Sequence, residues 1–272
     1  MIPTTLRRIV LTLLLSIPVV TTADPIPLKH YVYKDRALII LGQEDSFRAI
    51  EYIASLKDPR DAMGVFALLA RDLYWEKRNL HASLAIGRAG IQYGITEAGR
   101  RRWDLRNFDL GTRDKLRDAL LDEAQGLAYD MSSFCWPGWD EAGMSIDSSD
   151  LIIAQDLART YMRLTIMQDG GDLSLSRAHW LIGAHHLAVT QYETARRAFV
   201  EALKFATASG SRQQQLLMRG YLYLVEMAKN GTSDSLGGEF DFVLEELATS
   251  REGQFFSEQL ETAREVFVSA GN

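Results

Sequence analysis

Histidine and cysteine are the side chains whose placement first invites a chemical reading. His185 and His186 are adjacent, and His179 lies two helical turns earlier, within His179-Trp-Leu-Ile-Gly-Ala-His-His. A zinc-binding helix sets ligands at i and i+4 on one face, and a structural site needs four of them. His179 and His186 are seven apart with no carboxylate between them on that face, which falls short of a metal-ligand set. Cys135 is the single cysteine of the chain, in Ser132-Ser-Phe-Cys-Trp-Pro-Gly-Trp-Asp-Glu. A nucleophilic thiolate needs a base and a stabilising environment, and His30, His81 or the 179 to 186 group could meet it only through folding. Three readings of this loop stay open. Trp136 and Trp139 could pack as a plug around a turn at Pro137-Gly138, they could form a ligand rim, or the thiol could be catalytic.

Other reactive constellations are missing from the sequence. It has no phosphate-binding glycine loop, no Gly-x-Ser-x-Gly elbow and no dinucleotide fingerprint. The acid pairs Asp122-Glu123, Asp140-Glu141 and Glu245-Glu246 are sequence neighbours, which point apart on a helix and cannot act as a glycosidase pair. No catalytic residue, metal site or cofactor is therefore expected, and the chain reads as non-enzymatic. The competing readings are an envelope enzyme with its site near the Cys135 Trp-Pro-Gly-Trp loop and a structural subunit of an envelope complex.

The elements that would carry these residues are helices. From 179 to 203, small and large apolar residues alternate at helix-hairpin spacing: Ile182-Gly183 on a first helix, then Ala195, Phe199 and Ala202 on a second. Two helices approach closely only where side chains are small, and Phe199 fills the gap one turn along. The order recurs at Phe66, Leu69-Ala70, Ala82, Ile86 and Ala89. Residues 112 to 131, opening at Thr112 as an N-cap, carry Leu116, Ala119, Leu120, Ala124, Leu127 and Ala128 as one stripe. Residues 150 to 168 supply Ala154, Ala158 and Tyr161. Gln213 to Lys229 and Gly238 to Ser250 form another pair, separated by the breaker-rich stretch from Asn230. Phe256, Leu260, Ala263 and Phe267 mark a last helix. Asp45 to Leu56 is a short helix ended by Pro59, and Tyr31 to Tyr33 and Ala37 to Leu41 are the only strand candidates.

This pattern resembles the tetratricopeptide repeat, whose helices place a Trp, Leu-Gly and Tyr on the first and Ala-x-x-x-Phe on the second. His179 stands at the Trp position, His186 at the Tyr position, and the closing Pro is missing near Thr207, so the resemblance implies that His186 packs in place of the Tyr while His185 faces solvent. The resemblance implies an all-α, right-handed superhelical stack of antiparallel hairpins. They would span about 61–95, 112–168, 174–207 and 211–250, with a capping helix at 253–270 and an N-terminal extension at 24–60. It further implies a protein or peptide ligand in a groove lined by the first helices. Carried onto this chain, the groove residues are Arg71, Tyr74, Trp75, Arg177, Trp180 and Leu187, with Ala184 beside them. Tyr, Trp and Arg suit such a surface, although Trp75 and Trp180 could instead pack against the adjoining hairpin.

Composition agrees with one elongated helical chain. Its 272 residues are 47% apolar, enough for a sizeable core. The net charge of −6 argues against nucleic acid, which needs a basic surface. Arg100-Arg101-Arg102 and Arg106 form a local basic run offset by Asp104, Asp109 and Asp114, which reads as a solvated connection with internal ion pairs. At the N-terminus, Arg7 and Arg8 precede an apolar run from Ile9 to Val20, then Thr21-Thr22-Ala23. This is the order of a secretory signal peptide cleaved after Ala23, too short for a comfortable membrane span. Cleavage would leave 28 basic against 36 acidic residues. The expectation is export to a periplasm or outside the cell, with no membrane span after cleavage and, with one cysteine, no internal disulfide. Asn230-Gly-Thr fits an N-glycosylation acceptor, relevant only to a secreted eukaryotic protein.

Overall fold

The computed structural model describes residues 26–100 and 110–268. The expected signal peptide at 1–23 and Arg101, Arg102 and Arg106 of the basic run lie outside them. Among the described residues there are eleven α-helices and no strand. The helices are α1 (Leu28–Gln43), α2 (Ser46–Ala54), α3 (Pro59–Trp75), α4 (Leu80–Gly99), α5 (Leu110–Phe134), α6 (Ser148–Met167), α7 (Asp172–Ala188), α8 (Tyr192–Ala208), α9 (Arg212–Asn230), α10 (Asp234–Ala248) and α11 (Arg251–Phe267). None is long and apolar enough to cross a membrane.

Side chains start most of these helices. Asp45, Asp58, Asn79, Ser211, Ser233 and Ser250 each accept a hydrogen bond from a backbone N–H of the first turn, and Asp147 with Asp150 closes a capping box. Several boundaries differ from the sequence reading for the same reason. Pro59 opens α3 at its first position, where the missing N–H costs nothing, rather than only ending α2. Ser233 starts α10 at Asp234, so the breaker-rich stretch shortens to a three-residue link and Gly237 and Gly238 are helical. Thr112 lies inside α5, which begins at Leu110. The strand candidates Tyr31 to Tyr33 and Ala37 to Leu41 are both helical in α1. Its buried residues, His30 and Ala37, are two turns apart on one helical face.

The chain divides into two compact units. Among the described residues one ends at Phe134 and the other begins at Cys135, so the boundary falls inside the 112–168 segment. In the first unit α1 packs on α2 and α3, α3 on α4 and α5, and α4 on α5. Close approach rests on glycines of α4. A Cβ at Gly87 would lie 2.3 Å from Met131 Sδ, and one at Gly90 would lie 2.7 Å from Phe66 Cβ.

In the second unit α6, α7, α8 and α9 pack in succession, followed by α10 and α11, with α9 also against α11. This is the packing order of a helical solenoid. The α7/α8 hairpin shows why its sequence spacing matters: Phe199 lies over Gly183, where a Cβ would come within 2.7 Å of the ring. Buried serines add inter-helix ties. Ser83 donates to the Ala70 carbonyl at 2.8 Å, and Ser176 donates to that of Ala202 at 2.9 Å.

Candidate functional site

The groove expected from Arg71, Tyr74, Trp75, Arg177, Trp180 and Leu187 divides by burial. Tyr74 and Trp75 are core residues of the first unit, Tyr74 stacking on Phe134 with ring centres 3.8 Å apart. Trp180, Ala184 and Leu187 are buried in the second unit. Of the two orientations open for Trp75 and Trp180, the inward one is adopted, because each ring meets other aromatics rather than water. Arg71 and Arg177 are half-buried and remain at the surface.

Arg71 leads to a group that the sequence reading missed. Its Nε and Nη2 both donate to Asp130 Oδ2 at 2.7 Å, and the Asp130 side chain is 5% exposed. The Asp130 charge holds the guanidinium pKa above its ordinary value against the cost of burial. Burial in turn raises the Asp130 carboxyl, with Arg71 pulling the other way. Glu123, two turns earlier on α5 and facing solvent, is also raised. Desolvation is the main cause, Arg71 opposes it, and Asp130 and Asp122 add to it. Among the described residues Glu123 has no hydrogen bond or ion pair of its own.

The polar face continues across α3 to α1. His30 Nε2 lies 2.9 Å from Asp61 Oδ1, and Lys29 Nζ is 2.8 Å from the same carboxylate. Gly64 makes room for the imidazole, since a Cβ there would lie 2.6 Å from its Nδ1. Lys34 reaches Asp72 at 3.5 Å. The first helices α1, α3 and α5 thus share a line of charges. Asp130 could have been found in the sequence as a carboxylate on the apolar stripe of Leu127, Ala128 and Met131.

The corresponding helices of the second unit carry aromatics instead. Trp136 is wholly buried, with ring centres 5.7 Å from both Trp180 of α7 and Tyr221 of α9, and 6.0 Å from Phe267 of α11. Trp139 lies edge-on to Trp136 at 5.1 Å. Of the three readings for this loop, the plug is the geometry observed. Cys135 is buried, and burial raises its thiol pKa with Asp150 adding, which keeps it protonated and works against a nucleophilic role.

The histidines exchange their expected places. His185 is fully buried, while His186 is half-exposed and its Nδ1 lies 2.7 Å from Gln191 Oε1. One residue is a 100° turn on a helix, and position 185 continues the inward face through Ala178 and Leu181. His179 stacks on Phe205 at 5.5 Å, and burial lowers its pKa. The three imidazoles therefore do not converge. Comparison with known proteins finds no matching family model and no matching curated relative.

Proposed function

We propose that this protein is an exported, non-enzymatic scaffold that binds a protein or peptide, built as a right-handed tetratricopeptide-like stack. The packing order within each unit and the Gly183–Phe199 approach support the repeat reading. The carrying observation for binding is the charged face of α1, α3 and α5. A buried ion pair is weak as a source of stability, because desolvation offsets most of its attraction. Arg71–Asp130 beside a Glu123 that makes no ion pair of its own among the described residues is better suited to recognising polar and charged groups of a partner. The ligand reading therefore moves to Arg71, Glu123 and His30. Trp75 and Trp180 support the helices that present such faces.

The test is capture from the native source, with the wild-type chain and a Glu123→Lys variant as baits. Glu123 is exposed, so the reversal spares the fold. The expected result is a partner retained by the wild type and lost by the variant at unchanged helicity. Equal recovery on both baits refutes the face. The export reading is checked by the N-terminus of the native protein, expected to begin at Asp24.

A further inference from the structure

Among the described residues of the second unit, the ion pairs of α9 and α11 run to second helices, Arg212–Glu246 and Arg264–Asp241 to α10 and Lys229–Glu193 to α8, and aromatic rings instead line its first helices. The side chains that meet Trp136 come from three of them: Trp180 on α7, Tyr221 on α9 and Phe267 on α11. What fills the space between these side chains is a non-helical segment of the same chain. Residues 135–147 contain one 3-10 turn, Pro137–Trp139, and pack against α11. Three backbone hydrogen bonds close within the segment: Trp139 N donates to the Trp136 carbonyl, Asp140 N to that of Pro137 and Met144 N to that of Glu141, while Asp147 at its end bonds to Asp150 and Leu151 of α6. Gly138 lets the turn fold beneath the indole, since a Cβ there would lie 2.3 Å from Trp136 Cζ2.

This arrangement is that of a bound peptide. A locally closed segment presents an aromatic anchor to a cage of rings on neighbouring helices. The fit has two costs. The buried Trp136 Nε1–H meets no hydrogen-bond acceptor among the described residues, and Asp140 holds a left-handed backbone at φ 45°. A buried donor without a partner is destabilising, because it has given up its bond to water and gained none. A covalently attached segment tolerates such a cost because it binds at high effective concentration.

We propose that residues 135–147 are an internal ligand, a strap that occupies the partner-facing side of the second unit and yields to a partner segment bearing an aromatic side chain. This rests on the scaffold reading above and assigns the second unit a regulated, aromatic-selective site distinct from the charged face of the first. While the strap is seated, the charged face is the one offered to partners. When it lifts, Trp180, Tyr221 and Phe267 become a second surface.

The probe is a fluorescent synthetic peptide of residues 134–147, added to the full-length wild type and to a Trp136→Ala variant. The expected result is one peptide bound per variant chain, at least tenfold tighter than to the wild type, with a peptide-dependent rise in the variant's Tm. Equal affinity for both proteins, or no binding to a variant that retains its helicity, overturns the proposal. Should Trp136→Ala fail to fold, two measurements decide: the same titration on Trp136→Leu, and exchange of the Trp136 indole N–H in the wild type. A strap that lifts exchanges this proton faster than the amides of Leu181 and Leu224, with little dependence on mild denaturant. Exchange that follows those amides at every denaturant concentration makes the segment fixed core and overturns it. The peptide is the chain's own, so a negative result leaves the charged face of α1, α3 and α5 untouched.

Discussion

The two units solve one packing problem with opposite chemistry. The first lines its first helices with charge, where the half-buried Arg71 pairs with the buried Asp130 and Lys29, His30 and Asp61 join on the same face. The second brings aromatic rings from its first helices around Trp136. Burying apolar surface is favourable in proportion to area, whereas a buried charge is tolerated only with its partner in place. The aromatic face therefore depends on volume and the charged face on pairing.

The strongest way to break this contrast is Arg71→Ala, which strands the Asp130 carboxylate. The expected loss is about 3–5 kcal/mol in urea denaturation. An Arg71→Met/Asp130→Leu double variant should recover most of it, because an apolar pair needs no counter-charge. If the double variant is as unstable as the single, pairing is not what the first unit requires. In the second unit Gly183→Ala adds one methyl beneath Phe199, and a loss of about 1–3 kcal/mol is expected from overpacking. A Phe199→Leu change in the same chain should restore part of it, so a purely additive double variant would separate Gly183 from Phe199.

Cys135 sharpens the comparison without a stability term. Buried and held as the thiol, it should react with a maleimide only as fast as the segment that carries it opens. Labelling at the rate of a free thiol in the native state would restore the reactive reading. The smallest effect is that of Glu123→Gln, a gain below about 0.5 kcal/mol at neutral pH because solvent screens this side chain. Its sign follows from a folded pKa raised above the ordinary 4.5. The folded state keeps the proton where the unfolded chain has released it, so this group's contribution falls as pH rises through that window. The wild type minus variant difference should therefore become less favourable from the acid side upward and flatten above the raised value.

Much of the helical architecture was legible because helix approach imposes a spacing that survives in composition. Gly183, Ala195, Phe199 and Ala202 report an approach whose determinants all lie on one hairpin. Other features depended on information that no local window holds. His185 and His186 differ by one step of helical rotation, and small pattern departures at 179 and 186 were enough to shift which imaginary face each occupied. The inward orientation of Trp180 depends on Trp136 and Tyr221, remote in sequence. Asp130 stands out only weakly in the sequence because a single carboxylate does not interrupt an apolar stripe strongly, yet that intrusion is the local mark of the charged face. Helix starts were least legible at Ser233, where one hydroxyl outweighed the glycines that follow it.

Packing in chain order also has a kinetic consequence. When neighbouring helices make most contacts, little loop entropy is lost before they form, and such chains fold quickly through local hairpins. Trp136 and Trp139 depart from this pattern, and the contacts of the Trp136 ring with helices are distributed from residue 180 to residue 267. That cage exists only after α7, α9 and α11 are assembled. Seating of the indole is thus expected as the last event of the second unit's folding, a slow phase in Trp136 fluorescence that follows the rise of helicity.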